Sequence, residues 1–199
     1  MNIVCLDLEG VLVPEIWIEV ANKTGIEALN RTTRDEPDYD VLMKYRMKIL
    51  KENNLKIYDI QRTIAGMSPI DGALEFLDAL REKTQVVIIS DTFEQFAMPL
   101  MKKLKYPTIL CNTLSISGDG YIDGYKMRVS ETKKTTVKAL QSLGYDTIAS
   151  GDSYNDLGMI KNSKAGFLFK STETIKTSNP DIPAYETYEE LMSAIDRNL

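Results

Sequence analysis

An α/β fold, with a parallel sheet covered by helices on both faces, is what the sequence predicts, and two observations predict it. Short apolar runs end repeatedly in a polar or acidic residue, and amphipathic stretches at helical spacing separate those runs. A third observation, one long helical stretch that breaks the alternation, adds an inserted module.

The first apolar run, residues 2–6, ends in Asp7 and reads as a buried strand that delivers a carboxylate at its C-terminal end. Residues 15–66 then carry helical patterns and no strand: EIWIEVANKTGIEAL, VLMKYRMKILKEN and IYDIQRTIAG. Pro14 suits a first helical turn, Gly25 and the polar run RTTRDEPDYD interrupt the pattern, and Gly66 with Pro69 closes it. The expected division is a core of residues 1–14 and 67–199 with a helical module of residues 15–66. A helix over Gly72–Lys83 leads to the strand Gln85–Ile89, which ends in Ser90 and Asp91. A helix over Phe93–Leu104 leads to the strand Thr108–Cys111, which ends in Asn112. Residues 113–128 alternate apolar and polar side chains around Asp119 and Gly120, which predicts a small β-hairpin. A helix over Thr135–Leu143, the strand Asp146–Ser150 ending in Gly151 and Asp152, and a helix over Asn155–Asn162 follow. In parallel sheets ligands bind at the carboxyl ends of the strands, where these polar residues gather.

Composition narrows the function classes. The 199 residues suffice for one buried core with room for the inserted module. A formal net charge of −5 and a pI near 5.0 argue against nucleic acid, whose binding relies on Lys and Arg to neutralise phosphates. No apolar run approaches the roughly 18 residues of a membrane span, and the start MNIVCLDLEG has no basic leader, so a cytoplasmic protein is expected. Cys5 and Cys111 lie in apolar runs and read as buried, reduced strand residues. The absence of histidine is the sharpest constraint, because it removes Ser-His and Cys-His mechanisms and the usual zinc ligand. Chemistry here must run on carboxylates, Lys, Arg, Tyr, hydroxyls, backbone amides or a hard oxygen-bound cation such as Mg2+.

Asp7 and Glu9 place two carboxylates where the first strand ends, and Asp152 and Asp156 place two more at the end of another. Converging carboxylates raise one another's pKa unless a cation neutralises them, and Mg2+ fits an all-oxygen set. Ser90 adds a hydroxyl at a third strand end, and Lys133 or Lys134 begins the helix before the DTIAS strand. Nucleophile, cation, hydroxyl donor and Lys are together what phosphoryl transfer requires.

The order DLEGV, VVIISDT, Lys133 and GDSYND resembles the four motifs of the haloacid dehalogenase superfamily of phosphatases and spans nearly the whole chain. The resemblance implies a Rossmann-like core in which Asp7 attacks phosphorus, while Glu9 protonates the leaving group and then activates water. It implies phosphoryl binding by Ser90 and Lys133, with Lys134 an adjacent competitor. It also implies Mg2+ held by Asp7, the backbone carbonyl of Glu9 and Asp152, with Asp156 assisting. The helical module resembles the cap of phosphoserine phosphatases, in which an Arg grips the substrate carboxylate. That position is Arg46, and Glu15 is the implied partner of the substrate ammonium. Asp91, Thr92 and Asn155 complete the expected substrate-binding set. The plain structural alternatives are an exposed helix charge at Arg46 and a first-turn acid favoured by the helix dipole at Glu15.

Two departures narrow the subgroup: Glu9 where most members have Asp, and Asp91-Thr92 where typical phosphoserine phosphatases have Gly-Gly. Both resemble bifunctional members that hydrolyse phosphoserine and also transfer its phosphoryl group to homoserine. Two other functions stay open, a phosphatase of another small phosphomonoester and a phospho-receiver signalling domain. Against the receiver stand the position of Asp7 on the first strand and the long insertion after it.

Overall fold

The structure is a computed structural model that describes residues 1–199 except Thr33, Arg34 and Pro37. In chain order the elements are β1 (Asn2–Leu6), α1 (Ile16–Thr24), a 3-10 turn (Glu27–Asn30), α2 (Tyr39–Glu52), α3 (Ile57–Ala65), α4 (Ala73–Lys83), β2 (Gln85–Phe93) and α5 (Glu94–Met101). Then come β3 (Ile109–Ile116), β4 (Ile122–Lys126), α6 (Thr132–Ser142), β5 (Asp146–Gly151), a second 3-10 turn (Tyr154–Asp156) and α7 (Leu157–Asn162). The chain closes with β6 (Ala165–Phe169), α8 (Glu173–Ser178), β7 (Ala184–Tyr185) and α9 (Tyr188–Asp196).

Among the described residues these strands form one seven-stranded sheet in the order β4-β3-β2-β1-β5-β6-β7, parallel except for the β3/β4 pair. The central strands are apolar on both faces because both faces are covered. Val4, Leu6, Ile88 and Ile148 pack with Leu77 of α4, Phe96 of α5 and Leu191 of α9. Cys5, Val87, Ile89 and Ala149 pack on the other side with Val137 of α6, Met159 of α7 and Ile175 of α8. The chain winds from β1 outward to β3, then from β5 outward the other way, so the strand order reverses beside β1. Such a reversal opens a crevice at the carboxyl ends of the strands.

The helical stretch after β1, as α1, α2 and α3, packs on itself, on α5 and on the β3–β4 hairpin, and one apolar cluster runs through it and the sheet. Trp17 meets Phe96 edge-on at 5.3 Å, and the Gln61 side chain donates to the Gln95 carbonyl at 2.9 Å. The hairpin of β3 and β4 grips the same helices. The Ile57 N–H donates to the Gly120 carbonyl at 2.9 Å, and the Tyr125 hydroxyl donates to the Asp40 carboxylate.

Several boundaries differ from expectation. Pro14 lies ahead of α1, which starts at Ile16 after Glu15, whereas Gly25 does end that helix at φ +70°. The polar interruption falls partly on Thr33, Arg34 and Pro37, and that part of the expectation lies outside the described residues. β2 continues through Ser90 to Phe93, and β3 to Ile116, because each gains a partner beyond its apolar run. The sequence pattern predicts no element after Asn162; β6, α8, β7 and α9 are short and lack the strand-then-acid grammar. Cys5 is buried and Cys111 half-buried, since β3 has only the hairpin beyond it; both are free, and burial pushes their thiols up to about 12 and 11. Among the described residues no helix is long and apolar enough to cross a membrane.

Candidate active site

β2, β1 and β5 are neighbours, so their carboxyl ends deliver Ser90, Asp7 and Asp152 to one place. The Asp7 N–H donates to the Ser150 carbonyl at 3.1 Å, and Asp7 Oδ1 accepts the Leu8 N–H at 2.7 Å. Lys133, 2% exposed, reaches in from the first turn of α6, its Nζ 2.9 Å from Asp7 Oδ2 and 2.5 Å from Asp156 Oδ1. Lys134 instead pairs with Glu131 nearer the surface at 3.1 Å. α6 begins at Thr132, earlier than the periodicity predicts, after Glu131 turns the chain at φ +45°. That turn sets Lys133 on the inward face.

Asp156 is fully buried. Its Oδ2 accepts the N–H groups of Asp152 and Ser153 at 3.0 and 2.9 Å and the Ser153 hydroxyl at 3.1 Å, while Oδ1 takes Lys133. This carboxylate braces the loop that carries Asp152, and the Ser171 hydroxyl adds a bond to the Asp152 carbonyl at 2.7 Å. Carboxylate oxygens of Asp7, Asp152 and Asp156 lie within 4.8 Å of one another. Two glycines that sequence reasoning passes over permit this approach. A Cβ on Gly10 would sit 2.5 Å from Asp152 Cγ, and one on Gly151 would sit 2.2 Å from Asp156 Cγ. Gly10 also has φ +74°, a conformation that favours glycine. Their signal is their place beside the acids in DLEGV and GDSYND.

The Glu9 carboxylate stands apart from that trio. Its Oε2 accepts the Ile16 N–H at 2.9 Å, which ties it to the start of α1. The turn holding it is anchored by the Tyr188 hydroxyl on the Val11 carbonyl at 2.6 Å and by the Ile70 N–H on the Leu12 carbonyl at 3.0 Å. Burial raises the Glu9 pKa to about 7, with Glu15 adding repulsion and the Ile16 N–H, Thr92 hydroxyl and Arg46 opposing it. Burial, then the charge of Asp156, pushes Asp7 well above its ordinary value despite Lys133. Burial with Asp156 and Glu15 raises Asp152 to about 7. Burial works against the Lys133 ammonium, yet Asp156, Asp7 and Asp91 outweigh it and keep it charged. The acids crowd beyond what one Lys neutralises, which is the electrostatic condition for a bound cation.

Ser90 is 2% exposed, and its Oγ accepts the Thr92 N–H at 3.2 Å. Asp91 engages both carboxylate oxygens, one with the Thr132 hydroxyl and one with the Asn155 amide at 2.9 Å. Arg46 is 5% exposed, which excludes the exposed helix charge. Its guanidinium lies 4.4 Å from the Trp17 ring centre and donates to the Arg31 carbonyl at 2.8 Å, while its buried Nε has no partner among the described residues. Burial lowers its pKa to about 10, and Tyr39, Glu9 and Glu15 resist that shift. Glu15 is exposed just before α1, with its charge felt at Glu9 and Asp152. Arg46 and Glu15 thus bring a cation and an anion to the side of the crevice where Glu9 stands.

A doubly wound sheet whose reversal point carries crowded acids and a buried Lys, with no histidine in the chain, is an enzyme's arrangement. The chain belongs to the haloacid dehalogenase-like hydrolases, whose family model matches residues 10–161. It is 54% identical over 191 residues to a Pseudomonas aeruginosa protein, "Phosphoserine phosphatase ThrH", a match covering 96% of this chain and 93% of that one. A phosphoserine phosphatase from Pseudomonas syringae pv. tomato is 51% identical, with 96% of this chain and 81% of that one covered. Among solved structures, a phospho-aspartyl intermediate analogue of phosphoserine phosphatase superposes with a TM-score of 0.80 over 97% of this chain and 98% of that one. Its sequence identity is 19%, so that likeness speaks to the fold. Membership of a hydrolase family sets aside the receiver alternative.

Proposed function

We propose that this protein is a phosphoserine phosphatase that forms an aspartyl-phosphate on Asp7 and passes the phosphoryl group to water or to homoserine. The observation that carries the reading is the buried Lys133 ammonium 2.9 Å from Asp7 Oδ2, with Glu9 two residues along on the same turn. Support for the substrate comes from the names of the two Pseudomonas relatives.

In this reading Asp7 attacks phosphorus and the bond from phosphorus to the serine oxygen breaks. Glu9 gives that oxygen a proton, then takes one from the incoming hydroxyl. A pKa near 7 suits both duties near neutrality. Ser90 and Lys133 hold the phosphoryl oxygens. The all-oxygen trio fits Mg2+: Asp7 and Asp152, with the Glu9 carbonyl, would hold it, and Asp156 would support them. Bound there, the cation supplies the positive charge that lets a phosphate dianion approach. Residues 15–66 act as the cap, where Arg46 grips the substrate carboxylate and Glu15 the ammonium. Thr92 and Asn155 line the same crevice.

Arg46→Ala is expected to raise KM for phosphoserine far more than for phosphoethanolamine, which lacks the carboxylate. A charge-assisted bond in a closed site contributes roughly 1.5–3 kcal/mol, about ten- to a hundredfold in KM. Steady-state kinetics on both substrates decide this, and equal effects would make Arg46 structural.

The experiment for the whole reading is phosphorus NMR of the products from phosphoserine, with and without homoserine. Aspartyl-phosphate is attacked by whichever hydroxyl sits beside Glu9, and water at bulk concentration prevails unless a bound alcohol gains effective molarity. Homoserine differs from serine by one methylene and keeps the groups that Arg46 and Glu15 hold. Millimolar homoserine is expected to yield phosphohomoserine at the expense of inorganic phosphate, and propanol much less. Inorganic phosphate as the sole product would leave a plain phosphatase. No turnover of phosphoserine at all would refute the reading.

A further inference from the structure

We infer that Asp91 and Thr132 form a strut that sets the position of Lys133, and that the Asp91 carboxylate serves the site through this contact rather than by touching substrate. The inference deepens the proposed function and rests on it.

Asp91 follows Ser90 on β2, and its carboxylate faces two other segments at once. One oxygen accepts the Thr132 hydroxyl, and the other accepts the Asn155 amide at 2.9 Å. Its backbone carbonyl accepts the Asn112 side chain at 3.0 Å, and Asn112 is fixed in turn by the Arg128 N–H at 3.0 Å. Asn112 and Thr132 are 2% and 5% exposed, so water competes little for these bonds. One residue therefore ties β3, α6 and the loop after β5 to the strand that carries Ser90.

Thr132 is the first residue of α6 and Lys133 the second, so whatever places Thr132 places Lys133. Glu131, in the capping position, makes no capping bond and sits at φ +45°. A non-glycine residue held there is strained and persists only where its surroundings fix it. The helix start's other bonds are local, the Thr135 hydroxyl donating to the Ser130 carbonyl at 2.7 Å and Lys134 pairing with Glu131 at 3.1 Å, apart from those of Lys133 itself to Asp7 and Asp156. The local bonds hold the turn itself, and the Asp91–Thr132 bond fixes it against β2, the strand that carries Ser90. The hydroxyl of Thr92, the next residue along β2, favours the charged form of Glu9. The two residues after Ser90 thus act on two different working groups, Asp91 through Thr132 and Thr92 on the charge of Glu9, and a Gly-Gly pair at these positions would do neither.

Thr132→Val removes the hydroxyl and keeps the shape. It is expected to lower kcat and to weaken inhibition by inorganic phosphate, each about tenfold, the worth of one hydrogen bond to a charged group. The preference for phosphoserine over phosphoethanolamine is expected to stay unchanged, because that ratio reads the far end of the substrate. Thr132→Ser, which restores the hydroxyl, is expected to recover both values. A role confined to stability would lower the melting temperature without moving the phosphate inhibition constant. Unchanged kcat and inhibition constant in Thr132→Val would overturn the strut, as would a failure of Thr132→Ser to recover them. Should Thr132→Val fail to fold, Asp91→Asn, which keeps one acceptor oxygen, takes its place: a loss in the same two ratios supports the strut, and unchanged ratios overturn it. Wild-type turnover of phosphoserine tests the underlying reading separately, since the strut is judged only on variant-to-wild-type ratios, measurable with p-nitrophenyl phosphate.

Discussion

Asp7→Asn is expected to abolish turnover while leaving the fold intact. The amide keeps the shape, and its one oxygen can accept either the Leu8 N–H or Lys133, but it is no longer a nucleophile toward phosphorus. The buried Lys133 is not orphaned, because Asp156 Oδ1 stays 2.5 Å away. Orphaning a buried charge would cost about 3–5 kcal/mol, and the second partner avoids that cost. Burial and Asp156 make the charged form of Asp7 unfavourable, so the neutral isostere relieves repulsion. The relieved repulsion offsets the lost ion pair to Lys133, so the melting temperature is expected to stay within a few degrees of the wild type. Losing an essential nucleophile costs about 10^4-fold or more in rate, so phosphate release is expected to fall below detection. A purified Asp7→Asn protein with a tenth of wild-type activity would show that Asp7 is not the nucleophile.

Removing divalent cations is expected to extinguish activity, and added Mg2+ to restore it. Asp7, Asp152 and Asp156 crowd their oxygens within 4.8 Å, and Lys133 is the one buried ammonium bonded to two of them among the described residues. A phosphate dianion brought to such a pocket meets net repulsion until a divalent ion offsets it. Asp152→Ala is expected to raise the Mg2+ concentration needed for half-maximal activity more than any change outside the trio, because the Asp152 carboxylate is not already taken by Lys133. Titration of Mg2+ into metal-free enzyme measures both effects. Full activity in excess chelator, after metal-free purification, would sink the assignment of the acid cluster.

Asp7, Ser90 and Asp152 were legible because each follows an apolar run, and a buried strand that ends in a polar residue is a local pattern. The helices of residues 15–66 were legible for the same reason, their periodicity. The choice between Lys133 and Lys134 was not, since it depends on where α6 starts, and that is set by the turn at Glu131 and the hydroxyl of Thr132 against Asp91. Such a contact joins residues far apart in the chain and leaves no periodic trace. The closeness demanded of Gly10 and Gly151 is likewise invisible until two strands are paired. Tyr188, whose ring stacks on Phe76 at 5.0 Å and whose hydroxyl holds the Glu9 turn, lies in the stretch with the weakest pattern.

The placement of β1 has a consequence for how the molecule is made. Among the described residues β1 precedes the other strands of the sheet in the chain, yet it is the middle strand of the finished sheet, held between β2 and β5. During synthesis at roughly 5–20 residues per second, one edge of β1 stays unpaired until Asp146–Gly151 has emerged. Through that interval the nascent chain carries a free apolar edge of the kind chaperones guard and neighbouring chains mispair with. Lys133, Asp152 and Asp156 emerge around the moment that edge is sealed. The cluster of Asp7, Lys133, Asp152 and Asp156 is therefore complete only once the sheet has closed, and an unfinished chain lacks it.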